Sequence, residues 1–223
     1  MKRIPSHELL DADEGTADEI SASLSDLRMF NSWFGGVSCT ARLVDRIAER
    51  TKSSALTWLD VAAGAGYVPH TVQKRLAQRN VQLDITLLDR AASHVRNGTR
   101  AVVGNAVALP FRDDSFDFVS SELFVHHLMP EQVVQFVREG LRISRHAFVI
   151  NDLIRDPLHL ALAYAGFPLY RSRITRNDAP ASVRQAYTVK EMRDLLIESG
   201  AASIEITTSF LYRMGIIVWK ENR

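Results

Sequence analysis

The residues able to do chemistry concentrate between positions 59 and 152. Leu59-Asp60-Val61-Ala62-Ala63-Gly64-Ala65-Gly66-Tyr67 runs from an apolar segment through small residues into a helical one. Glycines there let the backbone turn sharply and approach a ligand, and a helix start offers unpaired N–H groups. About twenty residues past the loop, Asp89 closes the next apolar run, where a carboxylate can accept hydrogen bonds from ribose hydroxyls. Loop plus acid is a nucleoside-binding arrangement. The competing reading is a structural turn and a solvated aspartate. Further along stand the histidine pair His126-His127 and a set of polar groups, Asp152, Arg173, Arg176 and Tyr187, while Arg28 and Asn31 precede the loop.

The elements that must position these residues follow from periodicity. Leu24, Leu27, Phe30 and Phe34 fall at helical spacing before Gly35-Gly36, and Leu43, Val44 and Ile47 mark a second amphipathic helix. Trp33 and Phe34 read as core anchors, with a place over the pocket as the alternative. Strands are expected at Ala55–Val61, Val81–Leu88, Ala101–Val103, Phe116–Ser120 and His146–Ile150, with helices at Thr71–Gln78 and Glu131–Ile143. Strands alternating with helices mean βαβ units and a parallel sheet with helices on both faces. Leu158–Ala165 reads as helical, and Tyr170–Tyr187 as a polar, arginine-rich inserted loop. Thr188 and Glu191 have capping-box spacing, and Gly200 ends that helix. Ile204–Thr208 and Tyr212–Trp219 are too close for a crossover and must pair antiparallel.

Which nucleoside fits is decided by the loop. A dinucleotide loop wants a third small residue where this chain has Pro69. The Asp60 carboxylate suits a cationic ligand and repels a pyrophosphate. S-adenosylmethionine (SAM), which carries a sulfonium and an ammonium, therefore fits better than NAD. The segments Leu59–Gly66, Leu87-Leu88-Asp89, Val103–Phe111, Asp114–Val119 and Val125-His126-His127-Leu128, in that order, resemble the class I SAM-dependent methyltransferases, most closely the set like ubiquinone and menaquinone methyltransferases. The resemblance covers roughly residues 55–152. It implies an α/β fold with a Rossmann-like doubly wound sheet, mostly parallel with an antiparallel C-terminal hairpin, plus N-terminal helices. It also implies that Asp60 and the backbone of Ala62, Gly64 and Gly66 hold the methionine end of SAM. Asp89 takes the ribose, Arg90, Asn105 and Ala106 border the adenine, and Ser121 to Phe124 close over the sulfonium. Two departures stand out: Ala62 replaces a usual glycine, and Asn105 a usual aspartate. The part from Asn151-Asp152-Leu153 through Ser172–Thr175 to Ala186-Tyr187-Thr188 is similar to a bacterial small-molecule subgroup linked to polyketide and other natural-product pathways.

Methyl transfer to a phenol near neutrality is helped by a general base, because an unperturbed phenol titrates near 10. His127 and His126 are the candidates, against a packing or capping role. Arg28, Asn31, Asp152, Arg173, Arg176 and Tyr187 are the candidate substrate contacts, on a single domain whose residues 1–52 form a helical cap and 153–188 a substrate lid. The expected substrate is a small phenolic or polyketide-type molecule, with S-adenosylhomocysteine (SAH) as co-product. A non-catalytic SAM-fold scaffold and an NAD-dependent oxidoreductase are the alternatives. Lys and Arg number 27 against 26 Asp and Glu, a net charge of +1 that gives no argument for nucleic acid. The start is acidic (Glu8, Asp11, Asp13, Glu14, Asp18, Glu19), with no signal-peptide pattern, and no apolar run approaches the roughly 18 residues that span a bilayer. A cytoplasmic location is expected. The single cysteine, Cys39, excludes an intrachain disulfide and a multi-cysteine zinc site, no metal is expected, and the thiol reads as a buried apolar group.

Overall fold

The computed structural model describes residues 1–12, 14–90, 100–209 and 211–221; Asp13 of the acidic run lies outside them. Seven strands make one sheet in the order β3-β2-β1-β4-β5-β7-β6. They are β1 (Ala55–Val61), β2 (Gln82–Asp89), β3 (Ala101–Val103), β4 (Phe116–Glu122), β5 (Ser144–Leu153), β6 (Ser203–Ser209) and β7 (Arg213–Trp219). The first five pair in parallel, and β7 slots antiparallel between β5 and β6. The helices are α1 (Ala17–Trp33), α2 (Gly36–Thr51), α3 (Tyr67–Ala77), α4 (Pro130–Ile143), α5 (Pro157–Ala165), α6 (Arg173–Gln185) and α7 (Val189–Glu198). This is the Rossmann-like, doubly wound arrangement with its antiparallel hairpin.

The two faces of the sheet carry separate cores. Trp58, Phe118, Ala147 and Val149 face α2 and α3, whereas Leu59, Val119, Phe148 and Ile150 face α4 and α7. Because side chains alternate along a strand, the faces continue to the carboxyl edge. Asp60 is registered with Ser120, Glu122 with Asn151, and Leu153 with Arg213, all toward the α2 side. Ser121 and Asp152 point to the α4 side. One sheet edge therefore carries two polar groups of residues on opposite faces.

Two expectations are corrected. The stretch after Tyr170 is a helix rather than a loop. Ser172 caps it by accepting from the Ile174 N–H, and Ile174, Ala181 and Val183 bury an apolar side that the arginines had obscured. Pro180 inside it removes one helical N–H without ending the helix. Trp33 is no core anchor: it sits in the last turn of α1 and is 71% exposed, while Phe34 is half-buried. The helices outside the βαβ frame also pack on each other, through Asp26 accepting from the Arg171 and Ser172 N–H groups and Ser172 donating to the Glu19 carbonyl. Thr188 and Glu191 form the expected capping box, Gly200 ends α7 at φ +89°, and Cys39 is buried.

Candidate active site

The loop after β1 is built on left-handed residues. Ala62, Gly64 and Gly66 have φ of +58°, +50° and +68°. A Cβ at Gly64 would meet nothing within 4 Å, whereas one at Gly66 would lie 2.6 Å from Leu87 Cδ1. Gly64 thus opens space above the loop, and Gly66 lets the loop press onto β2. The Gly64 N–H donates to Asp89 Oδ2 at 2.8 Å, which fixes the acid at the end of β2 beside the loop. Ala62 adopts the backbone a glycine would take, so its substitution affects conformation rather than width.

Asp60 is 1% exposed. Trp58 Nε1 donates to Ser120 Oγ at 2.7 Å, and Ser120 Oγ donates to Asp60 Oδ1 at 2.5 Å. Asp60 Oδ2 meets no donor. Burial, then the charge and hydrogen-bonding carboxyl of Glu122, push the Asp60 pKa well up, and burial also raises Glu122. Both carboxyls are thus held toward their protonated forms, Asp60 the more strongly. Thr40 of α2 donates to Glu122 at 3.4 Å, and Asn151 Nδ2 donates to Thr40 Oγ1 and the Gly36 carbonyl, both at 2.9 Å. Asn151 Oδ1, Ser121 Oγ and Arg213 Nη1 are also buried without a partner. Arg213 Nη2 donates to Asn31 Oδ1 at 3.2 Å, so Asn31 ties α1 to β7. Orphaned acceptors beside two carboxyls whose pKa values burial raises, at the strand end that carries the glycine loop, fit a polar ligand that brings its own positive charge.

On the far side of the loop, Asn105 Oδ1 accepts from the Val107 N–H at 3.1 Å, a local turn that occupies the oxygen expected at the adenine. Ala106 is buried, and Arg90 is exposed. A cleft of about 290 Å³ opens beside the loop, lined by Arg28, Ala65, Gly66, Tyr67, His70 and Lys74 among others.

The histidine pair sits on the α4 face in a 3-10 turn after β4. His126 is 3% exposed, its Nδ1 lies 2.6 Å from Asp152 Oδ1, and its N–H donates to Asp152 Oδ2 at 3.1 Å. Its Nε2 lies 3.7 Å from Glu8 Oε1. Burial opposes the charged ring, but the charge and hydrogen bond of Asp152, joined by Glu8, push its pKa up to about 10. His127 is more open. Its Nδ1 lies 3.0 Å from Asp11 Oδ2, and burial with the His126 charge lowers its pKa. Phe124 stacks edge-on against Phe136 beside it. Ligand atoms of Glu8, His126 and His127 lie within 4.8 Å of one another, the one such group among the described residues.

The remaining predicted contacts have structural partners. Tyr187 is buried, donates its hydroxyl to the Leu128 carbonyl at 2.7 Å, and burial pushes its pKa to about 12. Arg173 on the exposed side of α6 pairs with Glu19, and exposed Arg176 reaches the Tyr170 carbonyl at 3.4 Å. Asp152 is held by His126. The roles of Glu122, Glu8, Asp11 and Arg213 escaped the sequence, since pairing across β4 and the path of the first twelve residues exist only in the fold. The signal within reach was Glu122, inside the quoted Ser121–Phe124 stretch and two residues after the serine that aligns with Asp60.

Residues 59–147 match the family described as "Methyltransferase domain". The matched segment runs from β1 to β5 and takes in the glycine loop, Asp89 and the histidine pair. BpumL, a plantazolicin methyltransferase solved with SAH, superposes with a TM-score of 0.74 at 14% identity, over 96% of this chain and 95% of that one. A SAM-dependent methyltransferase from Aquifex aeolicus gives 0.51 at 15% identity over 74% and 81%, and one from Methanosarcina mazei gives 0.52 at 16% over 75% and 93%. At these identities the likeness is one of fold. No curated protein matches the chain in sequence. No helix among the described residues is long and apolar enough to cross a membrane.

Proposed function

We propose that this protein transfers the methyl group of SAM to a hydroxyl of a small phenolic or polyketide-type molecule. The observation that carries the cofactor half is buried Asp60, its Oδ2 without a donor, at the end of the strand that runs into the glycine loop, a site that gains stability when a cation reaches it. SAM supplies an activated methyl carbon for in-line displacement. The chain aligns the acceptor and excludes water. Asp60 with the backbone of Ala62, Gly64 and Gly66 holds the methionine end, and Asp89 the ribose. Arg90, Asn105 and Ala106 border the base, and Ser121 to Phe124 cover the sulfonium. His127, neutral near pH 7, takes the acceptor's proton. His126 is already charged there and acts behind it. Arg28 reaches the acceptor side from the cleft, and Asn31, Asp152 and Tyr187 set the positions of the elements around it. Residues 1–52 form the cap and 153–188 the lid, with Arg173 and Arg176 on its rim. The ubiquinone/menaquinone-like resemblance and the natural-product subgroup support the phenolic class. BpumL, solved with azolic desmethylPZN analogs, adds an azolic compound to the panel.

The test is calorimetry with SAM and SAH on the wild type and Asp89→Ala, followed by SAH release with a panel of phenols, pyrones and an azole. Micromolar binding lowered at least tenfold in the variant, with turnover of a phenol, is expected. A folded protein that binds neither ligand would sink the cofactor reading. Binding of SAM without turnover of any acceptor would favour a scaffold.

A further inference from the structure

Glu8 and Asp11 lie far outside the matched domain in sequence, yet both end at the histidine pair. The first twelve residues are strapped across the turn after β4 and across α6. Arg3 Nη2 donates to the His126 and Leu128 carbonyls, both at 2.9 Å, and its guanidinium stacks 4.3 Å from the Tyr187 ring centre. The Leu9 and Leu10 N–H groups donate to the Asp178 carboxylate at 2.9 and 3.0 Å. Glu8 is 9% exposed, and its Oε1 accepts from Ser182 Oγ at 2.7 Å and from Gln185 Nε2 at 2.5 Å. A buried carboxylate anchored by two side chains of α6 and turned toward an imidazole is a built feature, since an isolated buried carboxylate is strongly disfavoured.

The geometry points to Glu8 and Asp11 as positioning residues that divide the histidine pair into a fixed imidazolium, His126, and a proton acceptor, His127. Both ring nitrogens of His126 face a carboxylate, Asp152 at 2.6 Å and Glu8 at 3.7 Å. Such a ring is best served by two N–H protons. The His127 ring lies against it, with ring centres 4.1 Å apart. A second cation there is repelled, so His127 stays neutral. A proton on His127 Nδ1 is held by Asp11 at 3.0 Å, outweighing the longer 3.4 Å contact with the Gln185 amide, and Nε2 keeps its lone pair. The charged groups facing the pair are Glu8, Asp11 and Arg3 from the strap, Asp152 from β5, and Arg213 from β7 through its field on Asp152. This inference rests on the proposed transfer to a hydroxyl, whose proton moves from acceptor oxygen to His127 Nε2 as the methyl–oxygen bond forms and the carbon–sulfur bond breaks.

The test is long-range ¹H–¹⁵N NMR of the histidine rings between pH 5.5 and 9.5, on the wild type, Glu8→Gln and Asp11→Asn, with His127→Asn for assignment. His126 should stay doubly protonated past pH 9 and His127 neutral, in its Nδ1–H form, at pH 7. Glu8→Gln should bring the His126 titration down by more than one pH unit, and Asp11→Asn should shift His127 toward the Nε2–H form with folding intact. Asp11 is exposed enough that its variant reports even if Glu8→Gln fails to fold. A neutral His126 at pH 7 would overturn the inference. So would saturable zinc binding lost in His126→Asn, which would make the rings metal ligands. SAH calorimetry on the same samples separates these results from a failure of the cofactor reading.

Discussion

Replacing Ala62 by glycine should stabilise this protein, although it deletes a methyl group. Ala62 has φ +58°, in the left-handed region. For a residue with a Cβ this conformation costs about 1–2 kcal/mol. Glycine removes that cost but enlarges the unfolded ensemble, which takes back about 0.4–1 kcal/mol. The net expectation is a gain of about 0.5–1 kcal/mol in urea unfolding, or roughly 2–3 °C in Tm for a domain of this size. The neighbouring glycines provide internal controls. Gly64→Ala places a methyl in open space at φ +50°, so it isolates the conformational cost and should lose about 1 kcal/mol. Gly66→Ala adds a clash with Leu87 Cδ1 at 2.6 Å and should lose more, about 2 kcal/mol or above. The order Ala62→Gly above wild type, above Gly64→Ala, above Gly66→Ala is the signature. A destabilised Ala62→Gly beside a harmless Gly64→Ala would falsify the left-handed loop and the cofactor cradle built on it.

Asp60→Asn should stabilise the ligand-free protein at neutral pH by about 1 kcal/mol, because it removes a buried carboxyl held against Glu122. The same change should weaken SAM binding at least tenfold, and wild-type binding should release a proton, read as a dependence of calorimetric heat on buffer ionisation enthalpy. Equal heats in all buffers would refute a protonated Asp60 in the ligand-free protein. Asp117 accepts from the Thr57 N–H and hydroxyl at 2.7 and 2.8 Å and from Arg145 at 3.0 Å, which overcome its burial and hold its pKa below the usual value. A lowered folded pKa contributes stability that is present above about 3.8 and lost as pH falls through the folded value. Asp117→Asn should therefore lose stability at pH 7 and narrow its deficit toward pH 3, as followed by urea unfolding.

The frame of the fold was legible because its signals are local. The strand runs Ala55–Val61 and Ala101–Val103 coincide with β1 and β3, and the short link between the last two strands forces the hairpin. Asp89 and the glycine loop were legible for the same reason: a turn and the acid that follows it lie on adjacent strands of one βαβ unit, and the Gly64–Asp89 hydrogen bond joins them. The helix α6 was not visible in the sequence because charged residues interrupt the apolar side of Ile174, Ala181 and Val183. Trp33 was misplaced because hydrophobicity says what prefers burial, not what lies within reach to cover it. The Asn105 turn, closed by the N–H two residues on, was not foretold because the resemblance concerns the ligand rather than the local backbone. The partners of His126 come from positions 8 and 152, and no periodicity links them.

Both polar groups of the carboxyl edge can now be related to one displacement reaction. Asp60, Glu122 and Asn151 point toward α2, and Asp152 with His126 toward α4, because residues separated by one along a strand leave opposite faces. Methyl transfer needs a charge-matched seat for a cationic donor and a place for the proton that leaves the acceptor. Arg213, on the α2 side, lends positive charge to Glu122 and to Asp152 alike, so the two groups share one field although they leave opposite faces. The strands between them, with the apolar side chains of both cores, hold the two groups on separate sides of the sheet. Ser121 lies on the α4 side and Glu122 on the α2 side of the same strand, so β4 borders both groups. A substitution that shifts β4 by one residue against β1 would exchange the faces and abolish both sites at once.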